Sequence, residues 1–568
     1  MSNPASTAIV VLGPSALPVA RRIQALLPHS SVLGLEGRVD AADLGYASFG
    51  DTLRQLYREG TGIIALCAAG IVIRALASVL GEKGSEPPVL AVAEDGSAVV
   101  PLLGGLGGVN TLARRIAEGL GVAPAITTSG ELRFGTCLLD PPEGYVLADL
   151  EQGKHFVSDL LAGQSVRVEG DAPWLVAVGL PQAETATLAI RVTPHQVPAG
   201  GDLVIHPRSV VAKVASSEDV AARVTSAMNE AELAPAALAC LLAPRALAGS
   251  SELAAAAKAL GAELRFIANG AIETPSDELP GVVHTGSQGV TLAISPSPIR
   301  PDTLGQPRGR LAVVGLGPGE RAFMVPAVQH ELARAQDVLG YETYVNMAGP
   351  FRADQVLHCT DNREELQRAR HAFELAATGR SVVVVSSGDP GVFAMASAVL
   401  EALEAGSDPA WHAVELVILP GVSASLATAA LAGAPLGHDF CVISLSDNLK
   451  PWAVIEDRLD LAGKADLAMA FYNPISRSRP WQLAKALDVV RRHRGPETPV
   501  VLGRDVARPA QRLTVVTLGA LTPEMVDMRT MVLVGSSTTR VIARADGAPW
   551  VYTPRWYPTP GGPESVLS

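Results

Sequence analysis

Residues 310–319 read Arg310-Leu311-Ala312-Val313-Val314-Gly315-Leu316-Gly317-Pro318-Gly319. A short apolar run of this kind is a buried strand, and the glycine-rich turn after it opens a helix. Strand, glycine turn and helix together start an α/β unit. A dinucleotide fingerprint would need G-x-G-x-x-G, with an acidic residue on the ribose about 20 positions later. Here the spacing is G-x-G-P-G, and Pro318 has no N–H to give a pyrophosphate. The acidic residue at the right distance, Asp337, falls in a stretch read as helical. The turn is therefore not read as a nicotinamide site.

Three more strand ends follow the same plan. A strand at 382–385 runs into Ser386-Ser387-Gly388-Asp389-Pro390-Gly391. Another ends in Leu419-Pro420-Gly421-Val422-Ser423-Ala424, and a fourth in Ala470-Phe471-Tyr472-Asn473-Pro474. Each alone is an ordinary turn. Four together mark a ligand site, because open α/β sheets bind ligands outside the carboxyl ends of their strands. Gly388 and Gly391 permit close backbone approach, and Asp389 accepts hydrogen bonds.

Working outward, the chain has 568 residues, which predicts two to four domains. It is 48% hydrophobic and 18% charged, with 54 Gly and 42 Pro, as expected of compact α/β units with tight loops. The net charge of −12 argues against a nucleic-acid partner. The five cysteines, Cys67, Cys137, Cys240, Cys359 and Cys441, form no C-x-x-C pair and have no histidine cluster beside them, so no metal site is expected. The first residues show no signal peptide, and no apolar run is long enough for a membrane span, so a cytoplasmic protein is expected.

The N-terminal half also alternates strand and helix. Strands are expected at 8–12, 62–68 and 87–93, and a glycine turn at 104–110 opens a helix to 120. This gives an α/β domain over 1–140. Residues 141–201 give a mixed signal and are read as a connecting region. A further domain is expected over 202–290, with helices at 217–233 and 251–260. The prolines 296, 298, 301 and 307 make 291–307 a linker. The last domain is 308–568.

From Phe471 to Arg512 there are nine Lys and Arg against three Asp and Glu, an excess of six in an acidic chain. Arg477, Arg479, Arg504, Arg508 and Arg512 are candidates to pair with carboxylates of a substrate. Arg491, Arg492 and Arg494 read instead as a solvated helix face.

The motifs of the last domain carry a resemblance. GLGPG, SSGDPGVFAMAS (386–397), LPGVSA, APLGHDFCVISLSD (434–447), Pro451-Trp452, AFYNP and VGSSTTR (534–540) occur in this order. They resemble the precorrin-3B C(17)-methyltransferases, the ring-contracting branch of the tetrapyrrole methylase family. The resemblance implies two α/β domains with S-adenosylmethionine in the cleft between them, and a homodimer. Carried over by motif, the cofactor would contact Pro318, Gly388, Asp389, Val392, Ser423, Ala424 and Asn473, with Gly535 and Ser536 added from the last motif. The substrate implied is a tetrapyrrole corrin precursor. Methyl transfer needs little acid–base help beyond alignment. Ring contraction moves protons and forms a lactone, and His438, Asp439 and Asp447 are the titratable candidates near the family motifs.

The N-terminal half has a resemblance too. GIIALCAAGIVIRAL (62–76), EPPVLAVAEDGSAVVPLLGG (86–105) and AITTSGELRFG (125–135) resemble the cobalt-precorrin 5A hydrolases. Leu106 stands where that family carries a histidine. The stretch 210–217 lacks the family's G-C-x-R-G turn, and LAPRALAG (242–249) replaces its acidic, lysine-bearing stretch. The expectation is a methyltransferase for C-17 of precorrin-3B, forming precorrin-4, with a degenerate hydrolase-like half. The alternative is a bifunctional cobalt-factor III methyltransferase and lactone hydrolase.

Overall fold

The computed structural model describes residues 7–557, except 28–29, 40, 82–85, 177, 268–281, 286–288, 362–363, 477–479 and 546. The chain divides into two compact units. The first holds residues up to 309 with 377–380 and 408–415, and the second holds 310–376, 381–407 and 416 onward. The expected boundary at 308 falls beside this division. Among the described residues no helix is long and apolar enough to cross a membrane.

The first unit contains three sheets. Thr7–Val11 and Gly62–Leu66 lie at the centre of a six-stranded sheet that is parallel except for its edge strand Val99–Leu103. Apart from Thr7 its central strands are buried, which explains why they read as apolar runs. The connecting region of the sequence reading is more than a connector. Tyr145–Leu147, Leu203–Pro207, Leu188–Val192 and Val166–Glu169 form a four-stranded sheet in that order. It has its own core, with Phe156, Leu160, Ile190 and Leu203 buried. Leu203–Pro207 therefore belongs here and not to the domain that follows.

The third sheet runs Glu263–Ile267, Leu238–Pro244, Val210–Lys213, Thr291–Ile294, Val282–Thr285. The expected helices are present as Val220–Glu230 and Ser251–Ala259. The expected linker starts inside this sheet, since Thr291–Ile294 pairs antiparallel with Val210–Lys213. Its later part is tied down as well. The Arg265 guanidinium donates to the carbonyls of Leu304 at 2.9 Å and Gly305 at 3.0 Å. Proline density alone misread a strand followed by an anchored loop.

The second unit has two five-stranded sheets. The first runs Val356–Thr360, Asp337–Tyr341, Ser381–Ser386, Arg310–Gly315, Glu415–Leu419. Asp337 starts a strand, contrary to its helical reading, and its buried carboxylate lies 2.9 Å from His358 Nε2. The second sheet runs Phe440–Ser444, Ala468–Tyr472, Thr530–Val534, Pro499–Arg504, Arg512–Thr517. Phe440–Ser444 and Ala468–Tyr472 are parallel, whereas Thr530–Val534 runs antiparallel to Ala468–Tyr472. That reversal decides which motifs share an end of the sheet.

Candidate active site

Three neighbouring strands of the first sheet end in glycine loops that pack backbone on backbone. Gly317 N–H donates to Gly388 O at 3.1 Å, and Gly388 N–H donates back to Gly317 O at 2.7 Å. A Cβ on Gly421 would lie 2.2 Å from Gly388 O and 2.7 Å from Gly315 O. Only glycine permits this approach. Gly388 itself has φ +67°.

Asp389 holds the loops together. Its Oδ1 accepts from Gly391 N–H at 2.8 Å and its Oδ2 from Gly421 N–H at 3.1 Å. Val392 follows half-buried, and its N–H donates to Asp389 O at 3.3 Å. Ser423 is the N-cap of the helix Ala424–Ala432, and its hydroxyl accepts from Leu426 N–H. Ser425 N–H donates to the Tyr472 hydroxyl at 3.1 Å, while that hydroxyl donates to Ser425 Oγ at 3.1 Å. Tyr472 also packs edge-on against Phe393, with centroids 5.5 Å apart. Asn473 has φ +51°, and its amide donates to Ser444 Oγ at 3.1 Å. The loops at 388–393, 421–425 and 472–473 thus converge.

Pro318 is buried on the same side, and its carbonyl accepts from Arg508 Nε at 3.1 Å. Arg508 Nη2 lies 3.7 Å from Met347 Sδ. Arg508 therefore joins the loop after Arg310–Gly315 to the loop after Pro499–Arg504. Gly503 stands at the same end, where a Cβ would meet Thr428 Cγ2 at 2.5 Å. Sequence reasoning missed Phe393, Ser425, Tyr472 and Gly503. The signal for Gly503 was a lone glycine near the end of an apolar strand.

The structure divides the remaining expected residues. Asp447 follows Phe440–Ser444 at the Asn473 end, and its Oδ1 accepts from Gln482 Nε2 at 3.1 Å. His438 and Asp439 precede that strand, at the opposite end. A five-residue strand spans about 13 Å. His438 packs edge-on against Tyr557, whose hydroxyl donates to Asp466 at 2.9 Å. Gly535 and Ser536 are at that far end as well, because Thr530–Val534 runs against Ala468–Tyr472. There Gly535 O accepts from Arg494, and Ser536 N–H donates to Thr539 Oγ1 at 2.8 Å. These four residues therefore lie at the end of the sheet away from the glycine loops. Arg494, read as part of a solvated face, is buried there and lies 3.1 Å from Asp466.

The basic segment divides too. Arg504 donates to Asp527 at 2.8 Å and to Asp505 at 3.0 Å, and Arg529 lies 3.4 Å from Asp505. Arg504 is therefore engaged within the protein. Arg512, its backbone partner on the next strand, is exposed and has no ion pair among the described residues. Arg477 and Arg479 lie outside the described residues.

In the first unit, Leu106 sits half-buried in the glycine turn. The buried Glu131 carboxylate accepts from Asn110 Nδ2 at 2.9 Å and pairs with Arg114. Asp140 lies beside this cluster, 3.7 Å from where a Cβ on Gly108 would stand. Burial and then the Glu131 charge push its carboxyl up to about 6. A titratable carboxyl thus lies next to the glycine turn of this half.

Residues 310–522 match the family model of tetrapyrrole (corrin/porphyrin) methylases, and residues 51–131 match that of the cobalamin synthesis G N-terminal region. The chain is 52% identical over 251 residues to a precorrin-3B C(17)-methyltransferase of Sinorhizobium sp., covering 44% of this chain and 97% of that one. It is 48% identical over 257 residues to the cobalamin biosynthesis protein CobIJ of Mycobacterium bovis, covering 44% of this chain and 49% of that relative, about half its length. The crystal structure of the methyltransferase CobJ is 54% identical, covering 43% of this chain and all of that one, with a TM-score of 0.41. The expected joining of a methylase to an N-terminal region from a cobalamin-synthesis family is met. Since its second half spans almost the whole of a curated relative at that identity, the chain belongs to the family of tetrapyrrole (corrin/porphyrin) methylases.

Proposed function

We propose that residues 308–568 transfer a methyl group from S-adenosylmethionine to C-17 of precorrin-3B, with ring contraction to precorrin-4, in cobalamin biosynthesis. The observation that carries this reading is the 52% identity to a precorrin-3B C(17)-methyltransferase across 97% of its length. The cobalt-free substrate is preferred because the hydrolase motifs of the N-terminal half are eroded at Leu106 and 210–217. A cytoplasmic homodimer is part of the same reading.

The residues at the loops fit S-adenosylmethionine. It has no phosphate, so it needs backbone partners and apolar walls more than cations. A Cβ on Gly388 would fill the space 3.7 Å from Ser423 Cα and 3.9 Å from Ala424 N, a cradle kept open by glycine. The Phe393 ring, 51% exposed, offers an apolar wall. Bound there, the cofactor supplies an electrophilic methyl group on a sulfonium.

The chain's own residues bind and orient. Gly388, Asp389 and Val392 form one side of the site, Ser423 and Ala424 the second, and Asn473 the third, with Pro318 behind them. Rigid loops of this kind hold reactants in line, which is most of what methyl transfer requires. Asp447, at the Asn473 end, is the retained candidate for moving a proton during ring contraction. His438, Asp439, Gly535 and Ser536 are left out because they lie at the other end of the sheet. Titration calorimetry of the whole chain with S-adenosylmethionine tests the cofactor assignment. One-to-one binding per chain is expected, and no heat at any accessible concentration would remove it.

A further inference from the structure

Arg504 is held by Asp505 and Asp527, and Arg508 donates to Pro318, so these two cations of the 471–512 segment are engaged within the protein. A different face next to the glycine loops combines the required chemistries. Phe393 leads into it from the loop after Ser381–Ser386. Lys450 Nζ lies 5.7 Å from the Phe393 ring centroid, and the preceding Leu449 is 93% exposed. Two residues on, Trp452 packs edge-on against Trp481 with centroids 4.9 Å apart. Lys485 Nζ sits 4.6 Å over the Trp481 ring. Exposed apolar groups gathered beside cations in this way mark a binding face.

Two buried polar atoms beneath this face have no hydrogen-bond partner among the described residues, Trp452 Nε1 and Gln482 Oε1. Gln482 is 1% exposed, and its amide nitrogen donates to Asp447. Burial of the Lys450 ammonium, and then the nearby Arg458 charge, hold its pKa below the usual lysine range, so an anion beside it would be favoured.

We propose that Phe393, Leu449, Lys450, Trp452, Trp481 and Lys485 form the platform on which the tetrapyrrole lies, its apolar surface against the aromatic rings and its peripheral carboxylates on the two lysines. Charge complementarity selects this occupant. A corrin precursor is a broad macrocycle fringed with acetates and propionates, and it needs both stacking area and separated cations. Phe393 is shared between platform and cofactor loops through Tyr472, which puts the macrocycle beside the place proposed for the methyl donor. The assignment rests on the proposed function and adds the residues that recognise the substrate.

The test uses the full chain and precorrin-3B, followed anaerobically by the absorbance of the tetrapyrrole. Lys450→Glu and Trp481→Ala should each weaken tetrapyrrole binding about tenfold or more, the scale of a lost charge-assisted contact or a lost aromatic one. Both should keep the affinity for S-adenosylmethionine within about twofold, and Trp481→Phe should restore part of the loss. Lys464→Glu, on the exposed end of the helix Trp452–Lys464, is the control and should bind the tetrapyrrole like the unaltered chain. If the unaltered chain binds the tetrapyrrole and both variants bind it equally well, the platform is wrong. If cofactor affinity falls in parallel, the face is structural and the platform is equally wrong. If the unaltered chain binds no tetrapyrrole, the functional reading itself fails and the platform with it. Should Lys450→Glu not fold, Lys450→Ala combined with Lys485→Ala carries the same test.

Discussion

The Asp389 carboxylate accepts the backbone N–H of Gly421 at 3.1 Å, joining two loops that are 32 residues apart in the chain. Its other oxygen accepts from Gly391 N–H. Asp389 therefore shapes the site in addition to any contact with a ligand. Asp389→Ala should weaken S-adenosylmethionine binding by about 1–3 kcal/mol, because it leaves both N–H groups without their acceptor. Asp389→Asn should cost less, since its amide oxygen can still accept one of them. Calorimetry on the two variants checks the order, and equal affinity for Ala and the unaltered chain would contradict it.

Gly421→Ala should be more damaging than a glycine change in open space. Its Cβ would stand 2.2 Å from Gly388 O, backbone that cannot swing away. Overpacking of this type costs about 1–3 kcal/mol or more and would part the two loops. Gly495→Ala, with nothing within 4 Å of its Cβ, is the matched control. Thermal unfolding and cofactor affinity should both fall for the first and hold for the second.

The loops that make this site were legible because glycine, proline and aspartate punctuate strand ends in a recognisable order. The far end of the second sheet was not legible. Nothing local in VGSSTTR tells that Thr530–Val534 runs against Ala468–Tyr472, so Gly535 and Ser536 were grouped with Asn473 although the strand direction sends them to the opposite end. His438 and Asp439 stand beside a family motif in the same way, and the motif alone does not tell which end of the sheet they occupy. The sheet over 145–207 escaped notice because Tyr145–Leu147 pairs with Leu203–Pro207 across more than fifty intervening residues. Long-range pairing of this kind leaves no local trace.

Arg504 and Arg512 should respond differently to charge reversal. Arg504→Glu would set a third carboxylate against Asp505 and Asp527, so it should lower stability. Arg512→Glu removes an exposed cation that has no ion pair among the described residues, so it should leave stability unchanged and raise the KM for the tetrapyrrole. Melting curves and steady-state kinetics on both variants distinguish these outcomes.

Asp140 predicts a pH dependence in the N-terminal unit. Burial, and then the Glu131 charge, push its carboxyl up to about 6 in the folded chain, above the ordinary carboxylate value of about 4. Between these values the folded state binds more protons than the unfolded state, so this group's contribution to stability falls as pH rises through the window and stays unfavourable above it. Asp140→Asn should therefore stabilise the chain relative to the unaltered protein at pH 7 to 8, with the difference shrinking as pH falls from about 6 toward about 4. Thermal unfolding of the two proteins across that range measures it, and a difference independent of pH would contradict the assignment.

Turnover of precorrin-3B decides whether the chain is this methyltransferase. The full chain is incubated anaerobically with precorrin-3B and S-adenosylmethionine carrying a ¹³C-labelled methyl group, and in parallel with cobalt-factor III. Mass spectrometry and ¹³C spectroscopy follow the product. The predicted result is precorrin-4 formed from precorrin-3B, heavier than it by one labelled methylene unit and with the label on C-17, while cobalt-factor III takes up the label more slowly into its own cobalt-containing product. Labelling at another carbon, or no tetrapyrrole-dependent transfer from either substrate, would contradict it.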